Sequence, residues 1–392
     1  DSNTIGIRNT AVGVDSLGAN TTGTRNTAVG YRSLFSVTTG SNNTASGNYS
    51  LTFTTTGDNN TAFGAGSLST NTTGSCNTAV GRYALSNNTI GSKQVAIGIY
   101  ALTSNTTGEN NVAIGANAMF YNTTGQNNVA VGCGALHCNQ TTGQNSAVGR
   151  MALFVNKGNN NTAMGYSALR CNCTAASNSA FGRNALFETT TGSYNTGLGG
   201  YALQYNTVGE YNTASGICAL HCNTIGDQNS AYGGQSLINN TTGACNTAVG
   251  YNSLYANTTG YSNVAVGRTS LTQNTTGFFN AALGHCASYT STTSERNTII
   301  GAQAMRYGTA NCAVAVGMNA LYCATAAQLV AVGYRSMICN TSGGGNVGIG
   351  ACALELNFTG AANTAVGLRA LRGNKGGQNT GLGNCVLYCN KT

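Results

Sequence analysis

The segment Asn9-Thr-Ala-Val-Gly13 returns as Asn26 to Gly30, Asn60 to Gly64, Asn77 to Gly81, Asn246 to Gly250 and Asn363 to Gly367. Self-similarity at a short fixed period marks a repeat architecture, so it constrains this chain more than any other feature. The unit reads N-T-A-V-G-x-x-A-L-x-x-N-T-T-G-x-x, and positions below are counted from its first Asn. The fifth position is glycine in all 23 occurrences, from Gly13 to Gly383, and the 22 steps between them are 17 residues in 18 cases and 16 in four. So even a step means one structural coil per unit.

A chain of 392 residues would ordinarily divide into several globular cores. With 55 Gly, no Pro, no Trp and 7% charged residues, the alternatives are disorder or a repetitive fold. Apolar residues make up 41% of the chain and recur at fixed phase, so it can bury a core. Two or more glycines per unit, with Thr and Val between them, exclude a helix.

Strands fit. In N-T-A-V-G, positions 2 and 4 share one face and positions 3 and 5 the other. Leucine at position 9 (Leu17, Leu34, Leu51, Leu68, Leu85) is expected on a second short strand after a corner. Asn-Thr-Thr-Gly then supplies a turn, with Gly at positive φ and Asn bonded to its own backbone. The expected fold is all-β: a parallel β-solenoid, or β-roll, of about 23 coils of 16–17 residues. It spans 1–392 as a single repeat domain, with both ends falling within a repeat. At about 4.8 Å per coil the expectation is a rod on the order of 110 Å. The leucine ladder and the mostly Val, Ile, Leu, Phe or Met ladder at position 4 are expected to form the core.

Position 3 is alanine in 19 of 23 units, glycine at Gly197, Gly348 and Gly381, and bulky only at Ile299. Two readings stand: close approach of another sheet or protomer, as in a trimeric roll, or the internal face of one narrow coil.

The repeated N-T-A-V-G, with N-V-A-I-G at Asn111 to Gly115 and N-S-A-V-G at Asn145 to Gly149, resembles the β-roll repeats of trimeric autotransporter adhesin heads. The longer unit bearing N-T-T-G is similar to repeats in phage and large-virus tail or surface fibres. The resemblance spans the chain, and it implies an extracellular or virion-surface fibre, often homotrimeric, used for attachment. The chain departs from the adhesin pattern in its longer unit, its many cysteines, and the lack of a stalk, anchor or self-cleaving chaperone segment.

Fifteen cysteines in a low-charge chain point to an oxidising compartment. Cys218 with Cys222 and Cys385 with Cys389 occupy positions 7 and 11 of one coil, and Cys133 with Cys138 nearly so. Cys323 and Cys339 share position 11 of adjacent coils, where stacking would bring their Cα atoms within disulfide range. These four pairs are the expected staples; the other reading is of buried thiols packing as small apolar groups. His137-Cys138, His221-Cys222 and His285-Cys286 lack the paired spacing of a zinc site, so neither metal nor cofactor is expected.

Eighteen Asn-x-Ser/Thr sequons occur, many at the same turn: Asn20, Asn71, Asn105, Asn122, Asn139, Asn172, Asn240, Asn257, Asn274, Asn340 and Asn357. A turn protruding from each coil would accept glycans. The alternative is that Asn-Thr-Thr-Gly is simply good turn chemistry.

The net charge of +8 is spread over the length, without the patch of a nucleic-acid reader; Arg82, Arg150, Arg183 and Arg268 share one phase and read as a solvated face. No apolar stretch approaches the ~20 residues of a membrane helix, and no signal peptide stands at Asp1. Four Asp, five Glu and three His are dispersed without a catalytic spacing, so no enzyme is expected. A structural fibre or filament of glycosylated, disulfide-stapled coils comes first, partnering itself end to end or as a homotrimer. An attachment fibre comes second, with a receptor or glycan surface where the pattern breaks, at Ala287 to Glu295 or Ala324 to Gln328. Ice binding through threonine ladders comes last.

Overall fold

The computed structural model describes residues 3–389. The chain is an all-β parallel solenoid, and no helix occurs among the described residues. Contacts divide it into two compact units, Asp1–Tyr194 and Asn195–Thr392. In the first unit, eleven three-residue strands from Thr10–Val12 to Ser179–Phe181 pair in parallel, each with the next along the chain. In the second, twelve such strands run from Thr196–Leu198 to Thr380–Leu382. The register sets like on like: Thr10 opposes Thr27, Ala11 opposes Ala28, and Val12 opposes Val29. Since a one-residue slip would turn every side chain to the other face, this register decides which residues are core.

Only the middle residue of each strand points inward. Ala28, Ala45, Ala62, Ala79 and Ala96 have no exposed surface, and Ile299 is equally buried. The small-residue face is therefore the internal face of one narrow coil, which closes it to a partner protomer. Its smallness has a local cause. A Cβ on Gly348 would stand 2.9 Å from Ser336 Oγ and 3.4 Å from Met337 Cε, and one on Gly381 would stand 3.0 Å from Leu371 Cγ. Position 3 thus abuts positions 8 and 9 across the coil, and a leucine on one wall leaves room for a methyl group on the other.

The expectation that position 4 joins the core is overturned. Val29 is 39% exposed, Phe63 44% and Ile97 38%, so this row lies on the outside of the sheet beside the Thr/Val row of position 2. The core is the leucine ladder (Leu34, Leu51, Leu68, Leu85) packed on the position-3 alanines and the Ala or Ser of position 8, such as Ala84 and Ser33. Each fully buried leucine contributes about 1.5–3 kcal/mol relative to exposure.

Nor does the leucine sit on a second strand. Positions 7, 9 and 17 are left-handed in coil after coil, as at Arg32 (φ 53), Leu34 (φ 47) and Asn42 (φ 59). This tight curvature swings the leucine inward while the backbone bonds along the stack, Leu68 N–H to Ala84 O at 2.9 Å and Thr70 N–H to Ser86 O at 3.0 Å. Such conformations cost about 1–2 kcal/mol each for L-residues, so one coil alone would not hold them. Among the described residues the second arm becomes extended only at Val155–Asn156, paired with Cys171–Asn172.

The glycines also differ from expectation. Position 5 carries the positive φ (Gly64, φ 126), and a Cβ there would stand 2.7 Å from the Gly81 carbonyl carbon. The glycine of Asn-Thr-Thr-Gly has no positive φ; it is required for space, since a Cβ on Gly260 would lie 2.5 Å from Gly277 O.

Candidate interaction surface

Two rows of asparagine run through the interior. At position 1 the side-chain oxygen accepts from the next coil's backbone: Asn43 N–H donates to Asn26 Oδ1 at 3.0 Å, and Asn43 Nδ2 donates to Gly57 O at 2.8 Å. At position 12 the amides bond to one another: Asn88 Nδ2 to Asn71 Oδ1, Asn105 Nδ2 to Asn88 Oδ1 and Asn122 Nδ2 to Asn105 Oδ1, all at 2.8 Å. Each also closes its own turn, as Asn71 Nδ2 does on Gly74 O at 2.9 Å. A ladder of this kind satisfies buried amides that would otherwise cost about 1–3 kcal/mol apiece.

The glycosylation expectation therefore fails at this turn. Asn20, Asn71, Asn105, Asn122, Asn139, Asn172, Asn240, Asn257, Asn274, Asn340 and Asn357 are buried in the coil. In all but Asn340 the nitrogen that would carry a glycan donates a hydrogen bond, to a neighbouring Asn or to a turn carbonyl. The turn points inward because Asn closes it from inside. Where the next coil lacks Asn, the ladder ends on an unpaired acceptor: Asn20 Oδ1 faces the coil with Val37, and Asn274 Oδ1 the coil with Ser291.

Of the expected staples, Cys323 and Cys339 form a disulfide with Cα atoms 4.7 Å apart. Cys133, Cys138, Cys218, Cys222, Cys385 and Cys389 stand as separate thiols. Stacking brings together the same position of successive coils, whereas positions 7 and 11 of one coil lie on either side of an inward leucine such as Leu220. Burial pushes the thiols of Cys138, Cys171, Cys218, Cys222 and Cys352 up from their ordinary value.

At the pattern breaks the core is rebuilt, while Thr292, Thr293, Thr325, Ala327 and Gln328 stay exposed. Ser288 replaces the core leucine, and its Oγ donates to Ser291 Oγ at 2.9 Å, which donates to Gly308 O at 2.7 Å. Ala287, Ser288, Ser291 and Ser294 are buried, as are Ala324 and Ala326 of the second break. The irregularity is a repaired core.

What faces outward is ordered in rows. Besides the apolar row of position 4, position 10 of the first unit forms a stacked series. Phe120 and His137 have centroids 5.4 Å apart, His137 and Phe154 4.9 Å, and the Arg170 guanidinium lies 5.8 Å from the Phe154 ring and 5.6 Å from that of Phe187. The second unit carries a shorter series, with Arg306 over Tyr289 and Tyr307, and Tyr307 edge-on to Tyr322 at 5.2 Å. Arg82, Arg150, Arg183 and Arg268 are exposed; two of them lie on tyrosines, Arg82 on Tyr83 at 5.1 Å and Arg183 on Tyr166 at 5.8 Å. Glu355 is an exception to the solvated charges, with only 2% of its side chain exposed, and is paired with Arg335 (3.0 Å) and Arg372.

Position 7 of the first unit holds Tyr49, Gly66, Tyr83 and Tyr100. Tyr83 and Tyr100 stack at 5.7 Å with planes 8° apart, and between Tyr49 and Tyr83 the glycine leaves a cleft of about 350 Å³. The consensus hid this feature, because position 7 has no preferred residue. Writing out that one position coil by coil would have exposed a glycine among tyrosines.

Register, coil and rows define the chain as a parallel β-solenoid repeat protein. No family model matches it, and no curated protein does either.

Proposed function

We propose that the chain is a structural element of an extracellular or virion-surface fibre, working by repetition of one surface rather than by catalysis. The observation that carries this reading is the constant register, in which each outward position of the repeat recurs from coil to coil of a unit. Other copies of the chain are the partners, end to end or as a homotrimer. With the position-3 face internal, lateral contact falls to the exposed apolar row of position 4, since contiguous apolar surface of that kind marks interaction sites. Immunogold electron microscopy of intact producing cells or particles tests the reading: label on external filaments is expected, and label confined to the interior contradicts it.

Attachment is the second reading, favoured by the aromatic rows and the cleft. Binding of the purified chain to cells tests it. For ice binding, the first threonine of the Asn-Thr-Thr-Gly turn is unhelpful, because its hydroxyl is spent on the next coil's backbone, as Thr72 Oγ1 donates to Thr89 O at 3.0 Å. The flat row of Thr27, Thr44, Thr61 and Thr78 beside position 4 keeps the reading alive, and absence of thermal hysteresis would end it.

A further inference from the structure

We infer that the cleft over Gly66 is a binding site for one ring of a neutral saccharide; this deepens the attachment reading and rests on it. The site exists because one side chain is missing from a row. Tyr49 stands on one side of Gly66 and Tyr83 on the other, two coil steps apart, or roughly 10 Å at the usual strand spacing. Tyr83 leans over the glycine, since a Cβ there would meet its Cδ1 and Cε1 at 2.6 Å, and its far side is held by Tyr100. Phe53, 54% exposed, adds a third ring at the edge.

The polar groups of the cleft match a sugar's hydroxyls. The side-chain amide of Asn48 makes no hydrogen bond among the described residues and is exposed, so it offers a donor and an acceptor side by side, as a vicinal diol requires. Ser69 Oγ donates to Ser86 O at 3.2 Å, which leaves its oxygen free to accept, while Thr52, 3% exposed with Oγ1 on Arg32 O at 3.3 Å, forms the floor. No charged side chain lines the cleft; Arg82 lies on the Tyr83 ring at 5.1 Å but outside the lining, so the groups that face a ligand are uncharged. Aromatic faces for the ring's C–H surface, an amide, a hydroxyl acceptor and a volume at the lower end of small-molecule sites together specify an uncharged, polyhydroxylated ring. An apolar peptide side chain would leave Asn48 unused.

The test is a glycan array carrying neutral and sialylated oligosaccharides, followed by titration of the best neutral ligand against wild type, Tyr49→Ala, Gly66→Tyr and the control Gly134→Tyr. Tyrosine at position 7 recurs in other coils with the same left-handed backbone (Tyr49, φ 58; Tyr83, φ 54), so the backbone accepts Gly66→Tyr, whose Cβ must push the Tyr83 ring aside as its own ring fills the cleft; an unchanged circular dichroism melt checks the fold. Wild type and Gly134→Tyr should retain neutral ligands. Tyr49→Ala and Gly66→Tyr should bind about tenfold or more weakly. Undiminished binding by Gly66→Tyr, a preference for sialylated ligands, or no saccharide bound at all overturns the site. Cell attachment measured alongside separates the two levels: attachment that persists without saccharide binding removes the cleft alone, and loss of attachment by wild type removes the reading beneath it.

Discussion

Asn88 donates its side-chain amide to Asn71 Oδ1 at 2.8 Å while closing its own turn on Gly91 O at the same distance. One side chain thereby ties two coils and one corner, fully buried. Replacing the next rung, Asn105→Leu, removes the donor to Asn88 Oδ1 and leaves that acceptor unpaired among buried neighbours. The expected loss is about 2–3 kcal/mol, read from urea unfolding. A change below 0.5 kcal/mol would show that the ladder is not holding the turn.

The same burial forbids glycans at the turn. Secreted from a glycosylating host, folded chain should carry none at Asn71, Asn105, Asn122, Asn240 or Asn257, as read by peptide mass mapping with and without amidase treatment. Occupancy at those sites in soluble, folded protein would contradict the inward turn.

Gly81→Ala places a methyl group at φ 130 and 2.7 Å from the Gly98 carbonyl carbon. Strain of this kind costs about 1–3 kcal/mol before any clash is counted. The expected melting point is several degrees below wild type, whereas a substitution at exposed Thr73 should leave it in place.

Thiol reactivity follows burial. Brief alkylation of native protein should modify exposed Cys76, Cys245 and Cys312, spare buried Cys286, and reach Cys171 and Cys222 slowly, since burial holds their thiols protonated. Cys323 and Cys339 should react only after reduction. Quantitative peptide mass spectrometry ranks the sites.

His221 supplies a pH dependence. Burial lowers its pKa below the ordinary value near 6.5, and Nε2 lies 3.0 Å from Gln204 Oε1. The unfolded chain therefore binds the proton more tightly than the folded one. Stability should be highest above the unfolded pKa and fall as pH drops from it toward the lower folded pKa. Melting curves from pH 7.5 to 5 should show a decline that His221→Phe reduces.

The period, the strand at positions 2–4, the parallel stacking, the leucine ladder and the Cys323–Cys339 pair were legible in the sequence, because each follows from phase alone. The direction of the strand's faces was not. Alternation shows that Thr27 and Val29 share a side and Ala28 the other, but the choice of interior depends on coil width. Here Leu34 fills the space, so alanine goes in and valine out. The left-handed backbone at Arg32, Leu34 and Asn42 was hidden for a related reason: the stack imposes it on residues with no local preference for it. The Asn-Thr-Thr-Gly turn looked like a surface loop, because its chemistry is identical whether Asn closes it from within or without.

That inversion of faces is the most consequential feature of the molecule, since it both seals the small-residue side and creates the outward rows. Adjacent lysine substitutions test it directly by thermal melts followed by circular dichroism. Ile97→Lys should fold and melt within a few degrees of wild type, because position 4 meets solvent, while Ala96→Lys should fail to fold or melt far lower, with a charge forced against the leucine ladder. A tolerated Ala96→Lys with a ruinous Ile97→Lys would mean that the coil is inside out.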